Sequence, residues 1–513
     1  MIFKRSSGVL LHISSLPGKY GIGDFGQAAY DWVDFLKNTG TGLWQVLPLT
    51  PTGFGDSPYQ GLSAFAGNPL FIDLQDLCEM RLADDSDLEA APHFPKSRVN
   101  FAAVRRWKRI LLENAYRRFR RRKHAELATA FEQFKVENSY WLEDYSTFMA
   151  LREAHQLMSW KDWPPAYRMR EPQALLDFEE NHFSEIEMQA FFQFLFFRQW
   201  LALKSYANGK GVQIVGDIPI FMGYDSADVW AQPHLFMLDE ERNPTFVAGV
   251  PPDFFSSTGQ LWGNPLYDWE AHRQEGYVWW LKRIEESLKS VDILRLDHFR
   301  GFAGYYRIPA AAETAENGEW VSAPGIDLFD TILNRLGKLP FIAEDLGVIT
   351  PDVVALRERY DLPGMRIIQF AFWGDADHEF LPHAYPVNCV AYTGTHDNDT
   401  TRSWFMHSSG HEKRFCLSYL GHPAQAQISK EIIRAVWRSA AIFAIAPMQD
   451  ILNLGGQARM NLPATTAGNW GWRMRPGVLT DELGNWMKEL NITYDRAAEN
   501  AGWKASEHFR GQA

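Results

Sequence analysis

The 513-residue chain contains only three cysteines, Cys78, Cys389 and Cys416. An odd number of widely separated cysteines supports neither a disulfide framework nor a zinc-binding cluster. The longest apolar run, residues 440–448, is too short to cross a bilayer, which needs about 20 residues. The N-terminal apolar stretch is interrupted by a histidine and two serines, so it predicts a strand rather than a signal peptide. We therefore expect a cytoplasmic protein that does not bind membranes.

An excess of positive charge is also missing. The chain has 51 Lys and Arg residues against 63 Asp and Glu residues, a net charge of −12. Nucleic-acid binders normally present a basic face, so we expect no nucleic-acid partner. A basic run at 117–123 would spread round most of a helix, which indicates a solvated surface. With 46% hydrophobic and 22% charged residues, the chain has the composition of a globular protein.

Aromatic residues are abundant. The chain has 20 Trp, 18 Tyr and 35 Phe residues, together 14% of the sequence. Much of this must form hydrophobic core. Sugar-binding clefts also use Trp and Tyr, because the apolar face of a pyranose ring stacks on an aromatic ring. The composition alone does not decide between the two uses.

Short apolar segments rich in strand-forming residues recur along the chain. Most lack strict alternation, as expected for parallel strands buried on both faces, and helical patterns separate most of them. Eight strand-then-helix units predict an α/β fold, a (β/α)8 TIM barrel, with a doubly wound sheet as the structural alternative. The predicted strands are 8–15, 43–49, 212–220, 293–299, 341–347, 366–371, 389–395 and 441–451, and the clearest helices are 28–38, 276–290, 327–336, 351–360 and 428–439.

Two connections are too long for simple crossovers. Residues 50–211, after the second strand, contain long helical patterns at 101–136 and 140–155 and predict a large, mostly helical inserted subdomain. Residues 221–292, after the third strand, mix turn residues with aromatic residues and predict an insertion with an aromatic-rich lid at 251–265. We expect one catalytic barrel over 1–513, without a separate C-terminal β-sandwich.

A glycine-rich segment at 21–26 matches the G-x-G-x-x-G pattern of dinucleotide-binding folds. That function requires an acidic residue at the end of the next strand. The next strand ends in Leu47-Pro48-Leu49 and carries no acid. The glycines therefore indicate a turn, and we predict no nucleotide cofactor.

Carboxylates close four of the predicted strands, at the rim where barrel enzymes place their chemistry. Any single one could be a helix cap or a salt-bridge partner. Burying several together is costly unless they are paired, protonated or functional, so the group predicts catalysis. The carboxylates are Asp217 after strand 3, Asp297 after strand 4, Glu344 and Asp345 after strand 5, and Asp397 after strand 7.

Two chemistries use such a rim. In metal hydrolysis, His298 and His396 would join the aspartates as ligands, but the H-x-H and H-E-x-x-H spacings are absent, so we predict no metal. Glycoside chemistry needs an ionised carboxylate as nucleophile and a protonated carboxyl as acid. Asp297 suits the first role because Arg295, two residues earlier, shares its face of the strand. Glu344 suits the second role because apolar residues precede it, and apolar surroundings raise a carboxyl pKa.

The segments that carry these residues resemble the α-amylase clan and, within it, the amylomaltases or 4-α-glucanotransferases of glycoside hydrolase family 77, also called disproportionating enzymes. The Ile-Pro-Ile after Asp217 departs from ordinary amylases, in which Asn-His closes this motif, and agrees with the amylomaltases. The resemblance extends over nearly the whole chain and is strongest at 7–17 (SGVLLHISSLP), 44–49 (WQVLPL), 56–60 (DSPYQ), 216–220 (GDIPI), 259–265 (GQLWGNP) and 392–398 (YTGTHDN).

This resemblance implies a retaining transglycosylase that acts on α-1,4-glucans and maltooligosaccharides without a cofactor. It makes Asp297 the nucleophile, Glu344 the general acid/base and Asp397 the transition-state stabiliser. A plain α-1,4-glucan hydrolase remains an alternative, and a non-catalytic glucan-binding protein is a more remote one. The substrate contacts that the resemblance implies are Tyr59, Asp217, Trp262, Arg295, His298, Asp345, His396 and Asn461.

Overall fold

The computed structural model describes residues 3–122, 124–252 and 257–498. It contains two sheets, one parallel with eight strands and one antiparallel with four. The strands are β1 (Ser6–Leu10), β2 (Leu43–Gln45), β3 (Gln213–Pro219), β4 (Phe246–Val250), β5 (Gln260–Pro265), β6 (Ile293–Asp297), β7 (Gly304–Pro309), β8 (Glu319–Ser322), β9 (Phe341–Ala343), β10 (Gly364–Ile367), β11 (Cys389–Tyr392) and β12 (Phe443–Pro447).

The eight-stranded sheet is a barrel. Its strands follow the order β10-β11-β12-β1-β2-β3-β6-β9, and every pair is parallel. The two ends of this order meet where the Ala343 amide of β9 donates to the Pro363 carbonyl, just before β10, at 2.9 Å. The predicted (β/α)8 barrel is therefore confirmed.

Helices lie between the barrel strands and also fill most of the long connection after β2. Within the described residues, no helix is both long and apolar enough to cross a membrane. The α-helices are α1 (Gln27–Thr39), α2 (Leu74–Glu79), α3 (Asp85–Glu89), α4 (Phe101–Arg121), α5 (Ala125–Glu137), α6 (Ser139–Ala154), α7 (Pro165–Arg168), α8 (Pro172–Asn181), α9 (Phe183–Gly209), α10 (Ala227–Ala231), α11 (Trp269–Gln274), α12 (Val278–Ser290), α13 (Gly325–Leu336), α14 (Pro351–Arg359), α15 (Thr401–His407), α16 (Gly410–Tyr419), α17 (Ile428–Arg438), α18 (Met448–Ile451) and α19 (Asp481–Thr493).

Burial on both faces explains the unbroken apolar runs of the barrel strands. Every residue of β2, β9, β11 and β12 is buried. One face of each strand fills the barrel interior and the other packs against the surrounding helices. Because neither face is exposed to solvent, apolar and polar residues do not alternate along these strands.

All eight predicted strands end later in the chain than the observed strands, and two of them show the reason. The segment 366–371 covers the end of β10 and a 3-10 turn at Ile368–Phe370. The segment 441–451 covers β12 and all of α18. In both places most of the chain stays buried after strand pairing has stopped, and the buried residues of the turn include polar ones such as Gln369 and Asp450. Apolar composition marks burial, and it does not mark the last hydrogen bond of a strand.

The long connection after β2 carries helices α2 to α9. The helical pattern at 101–136 is two helices, α4 and α5, rather than one. A buried lysine of α4, Lys108, joins two parts of this connection: its ammonium donates to the Leu70 carbonyl at 2.7 Å and to the Ile72 carbonyl at 2.9 Å. It also pairs at 3.4 Å with buried Asp24, which precedes α1. This ion pair links the connection to the barrel and gives the buried ammonium a charged partner.

Two arginines of the basic run at the end of α4 form ion pairs, so the run is not simply a solvated surface. Arg118 pairs with Asp84 and Asp87, both at 2.7 Å, and Arg120 pairs with Glu187 at 2.9 Å. Lys123 lies outside the described residues. The run therefore serves in part to join α4 to α3 and α9.

The smaller sheet has the order β5-β4-β7-β8 and is antiparallel throughout. Strands β4 and β5 lie in the connection 221–292, and β7 and β8 follow β6; none of these four segments was predicted as a strand. Val247 of β4 pairs with Ile308 of β7, and both belong to a small apolar cluster separate from the main core. The part of the predicted lid at 253–256 lies outside the described residues.

Candidate active site

Strand register brings three of the predicted carboxylates to one edge of the barrel. Asp217 of β3 lies opposite Arg295 of β6. Leu296 of β6 lies opposite Ala343 of β9, so the next residues along, Asp297 and Glu344, leave adjacent strands side by side. The three side chains are therefore presented by the carboxyl ends of three neighbouring strands, where barrel enzymes hold their reacting groups.

Arg295 lies at the centre of this group. Its Nη1 atom is 2.8 Å from both carboxylate oxygens of Asp217 and 2.8 Å from Oδ1 of Asp297. Its Nε atom donates to the Met365 sulfur at 3.4 Å. Burial lowers the pKa of Arg295, but the two aspartates more than offset this and hold that pKa well above its ordinary value. A permanent buried cation thus joins the two carboxylates.

A tyrosine from the loop after β2 completes the surroundings of Asp217. The Tyr59 hydroxyl donates to Oδ2 of Asp217 at 2.7 Å and lies 3.3 Å from Nδ1 of His396. The Tyr59 and His396 rings are stacked, with centroids 4.8 Å apart. Burial raises the pKa of the Asp217 carboxyl, and Arg295 opposes that shift.

Glu344 is held by the backbone around it. Its Oε2 atom accepts the His298 amide at 2.8 Å, and its Oε1 atom accepts the Leu346 amide at 3.1 Å. His298 reaches this position in the left-handed region, at φ 50° and ψ 52°, which is uncommon for a residue other than glycine. Burial raises the pKa of Glu344, Asp297 raises it further, and these effects exceed the lowering by Arg295 and the His298 amide. A protonated Glu344 can serve as an acid.

Asp397 approaches the same edge from the loop after β11. Its Oδ1 atom accepts the Asn461 side-chain amide at 2.7 Å and lies 3.4 Å from Nε2 of His396. The Asp397 side chain is 47% exposed, so a ligand at this edge can reach it. Asn461 belongs to the loop after β12, and its own backbone amide donates to the His396 carbonyl at 3.0 Å.

The small sheet contributes an aromatic wall. Trp262 of β5 meets the His298 ring edge-on, with centroids 4.8 Å apart. Burial lowers the pKa of His298 to about 4, so this imidazole is neutral near pH 7. Its Nε2 atom is buried and has no hydrogen-bond partner among the residues that the structure describes, which leaves a polar atom available to a ligand.

Asp345 is separated from the other predicted site residues. Successive residues point to opposite sides of an extended segment, and Asp345 points away from Glu344. Its carboxylate pairs with Arg357 at 2.6 Å and with Arg366 at 3.6 Å, and it accepts the Met365 amide at 2.6 Å. These contacts join β9 to β10 and α14, and they do not include the cleft residues.

The other ten predicted residues are brought together by contacts with one another. Two neighbours were not predicted. Trp470 packs against Tyr59 and His396, with ring centroids 5.9 and 5.8 Å apart, and Arg459 donates to the Asp397 carbonyl at 2.5 Å. Both belong to the irregular loop after β12, where no periodicity or strand end identifies the residues that face the site.

A TIM barrel that presents an arginine-paired carboxylate next to a carboxyl of raised pKa, on adjacent strand ends, has the arrangement of a glycoside-processing enzyme. Comparison with known proteins defines the family. The glycoside hydrolase family 77 model, described as 4-alpha-glucanotransferase, matches residues 11–480, and the chain belongs to this family.

Curated relatives align over nearly the whole chain. The 4-alpha-glucanotransferase of Thermus thermophilus is 48% identical over 506 residues, covering 97% of this chain and 100% of the relative. The chloroplastic/amyloplastic 4-alpha-glucanotransferase of Solanum tuberosum is 44% identical over 502 residues, covering 96% of this chain and 87% of the relative. Among solved structures, the amylomaltase of Streptococcus agalactiae in complex with acarbose matches with a TM-score of 0.94 at 40% identity, covering 96% of this chain and 100% of that one.

Proposed function

We propose that this 4-α-glucanotransferase works by retention through a covalent glucosyl-enzyme, with Asp297 as nucleophile and Glu344 as acid and base. As a member of its family, the chain transfers α-1,4-glucan segments from a donor to the 4-hydroxyl of an acceptor glucose or maltooligosaccharide. One observation carries the residue assignment. Arg295 is bonded to Asp297, while Glu344, beside it, is held by backbone amides and has a raised pKa.

In the first step, a carboxylate oxygen of Asp297 attacks the anomeric carbon of the donor. The bond from that carbon to the glycosidic oxygen breaks, and Glu344 gives its proton to that oxygen. The shortened glucan leaves with a new hydroxyl, and the remaining segment is esterified to Asp297. Arg295 stabilises the carboxylate before attack and after release.

In the second step, the 4-hydroxyl of an acceptor sugar attacks the same carbon from the face that the first product left. Glu344, now ionised, takes the hydroxyl proton, and the bond to Asp297 breaks. Two displacements at one carbon return the α configuration. The enzyme ends with Asp297 ionised and Glu344 protonated, ready for the next donor.

Asp397 interacts with the distorted sugar in the transition states of the two steps. Asn461 and His396 hold its Oδ1 side, and its exposed part can accept hydrogen bonds from ring hydroxyls. Such bonds accelerate the reaction if they are stronger at the transition state than in the bound substrate. The ring of Tyr59 offers the same sugar a stacking surface, and the free Nε2 atom of His298 offers it a hydrogen bond.

Transfer rather than hydrolysis requires that an acceptor sugar reaches the intermediate before water does. We assign this selection to the two insertions. The subdomain 50–211 supplies Tyr59, and the insertion 221–292 supplies Trp262, which lies against His298. Covering the cleft from two sides would exclude water and leave stacking surfaces for an acceptor.

We also propose that the cleft binds glucan chains and that the protein is cytoplasmic. The related Streptococcus agalactiae enzyme was solved with acarbose, which supports glucan chains and maltooligosaccharides as ligands of this cleft. We place the protein in the cytoplasm, which is consistent with three cysteines that are all free thiols.

Incubation with maltotriose tests this function. Transfer gives a ladder of longer oligosaccharides together with glucose and maltose, whereas a plain hydrolase gives shorter products alone. Asp297→Asn is the matched control, because it removes the nucleophile and little volume. A chain that binds maltotriose and forms no product would be a glucan-binding protein, and the proposal would then be wrong.

A further inference from the structure

The loop after β12 forms hydrogen bonds to the segment that carries Asp397. Arg459 donates from Nη2 to the Asp397 carbonyl at 2.5 Å and from Nε to the Asn461 carbonyl at 2.7 Å. Next to it, Asn461 donates from its backbone amide to the His396 carbonyl at 3.0 Å and from its side chain to Oδ1 of Asp397 at 2.7 Å. One guanidinium therefore joins two main-chain carbonyls that belong to different loops.

We propose that Arg459 is a positioning residue that fixes the backbone of Asp397 in the geometry the transition state requires. This inference rests on the proposed role of Asp397. Arg459 itself makes its contacts with backbone carbonyls, so its effect on the reaction passes through the place and orientation of the Asp397 carboxylate.

The chemistry of the side chain fits this task. A guanidinium is planar and donates in a fixed fork, so two bonds to two carbonyls define the spacing between the loops. The Asp397 carbonyl lies after the end of β11, outside the regular ladder of the barrel. Without Arg459 the Asn461 side chain would be the remaining restraint from this loop on the Asp397 residue itself. A displacement of about 1 Å in a catalytic group can reduce the rate about 100-fold.

The same loop reaches the other side of the site. The Trp470 amide donates to the Met460 carbonyl at 2.7 Å, and the Trp470 ring lies against Tyr59 and His396. Arg459 thus fixes the end of a loop that also supports the aromatic surface of the site. This arrangement couples the position of the stabilising carboxylate to the packing of Tyr59 and His396.

Arg459→Met and Arg459→Lys test the proposal in the full chain. Methionine keeps apolar bulk and removes both donors, and lysine keeps the charge and loses the fork. We expect both variants to lose about 100-fold in kcat for maltotriose transfer, with KM little changed, because the contact acts at the transition state. The same loss should appear with a glucosyl fluoride donor, which needs Asp397 and does not need the acid.

Arg98→Met is the matched control. Arg98 donates to the Gly468 carbonyl at 2.6 Å, so this variant removes an arginine–carbonyl bond at the other end of the same loop without a contact to Asp397. It should keep wild-type kcat. Free guanidinium at millimolar concentration should restore part of the activity of Arg459→Ala, because it can occupy the vacated donor position.

The outcomes separate the inference from the function on which it rests. Normal kcat in Arg459→Met, together with an inactive Asp397→Asn, would overturn the positioning role and leave the mechanism intact. Equal losses of kcat in Arg459→Met and Arg98→Met, matched by equal falls in melting temperature, would show a stability effect and also overturn it. A fully active Asp397→Asn would instead refute the proposed role of Asp397, and the inference with it.

Discussion

Replacing Glu344 by glutamine separates the two steps of the proposed mechanism. The change removes the acidic proton and alters little else, since glutamine has nearly the same shape. Its amide oxygen can accept one of the two backbone amides, from His298 and Leu346, that the carboxyl now accepts. Asp297 and its bond to Arg295 stay in place. The nucleophile therefore survives in a site without an acid.

The size of the effect depends on the leaving group. General acid catalysis contributes about 10²- to 10⁴-fold, so Glu344→Gln should lose this factor in transfer from maltotriose, about 3 to 5 kcal/mol of barrier. A glucosyl fluoride departs without protonation, so formation of the intermediate should proceed at close to the wild-type rate. The second step lacks its base, and the glucosyl group should therefore accumulate on Asp297.

Mass spectrometry of the protein after incubation with the fluoride detects this intermediate, and peptide mapping locates it. Azide should shorten its lifetime, because azide attacks without needing a base. Asp297→Asn should be inactive with both donors. A glucosyl group found on Glu344, equal losses of the two variants on both donors, or normal maltotriose transfer by Glu344→Gln would each refute the assignment of roles.

Two further predictions concern metal ions and pH. Activity should survive chelation by EDTA, because the two candidate metal ligands, His298 and His396, contact different aromatic partners, Trp262 and Tyr59; complete loss of activity that zinc restores would favour a metal hydrolase. The pKa of Glu344 is raised in the folded state, whereas in the unfolded state it has the ordinary carboxyl value of about 4.3. Between these two values the folded state keeps a proton that the unfolded state has lost. The contribution of Glu344 to the free energy of unfolding therefore falls as pH rises towards its folded pKa. Glu344→Gln removes that contribution, and its melting temperature relative to wild type should increase between about pH 5 and pH 8; a difference that is constant over this range would contradict the raised pKa.

The barrel could be predicted because its strands carry a strong local signal. Segments such as β11 and β12 are apolar at every position, and that pattern is typical of parallel strands buried on both faces. The small sheet was not predicted. Strand β7 mixes buried and exposed residues and β8 has no buried residue, and β7 pairs with β4, about 60 residues earlier in the chain. Pairing at that separation is determined by tertiary structure, which a local pattern does not record.

The candidate site also has features that the sequence could predict and features that it could not. Asp217, Asp297 and Glu344 could be identified because each ends a strand, and the ends of neighbouring strands meet. Asp345 also ends a strand, yet its partners are Arg357 and the Met365 amide, because neighbouring residues face opposite ways. Spacing thus predicted which strand ends bring their carboxylates together, whereas the direction of each side chain depended on the three-dimensional structure.

Exposure decides which of the two carboxylates bound to Arg295 can attack a sugar. Both lie 2.8 Å from the guanidinium, so charge pairing alone does not distinguish them. The Asp217 side chain is fully buried, and one of its oxygens also accepts the Tyr59 hydroxyl. The Asp297 side chain is 28% exposed and lies next to Glu344, from which a leaving oxygen can take its proton. We therefore infer that the anomeric carbon approaches Asp297 rather than Asp217, and that Asp217 orients Arg295 and Tyr59 from behind the reacting groups.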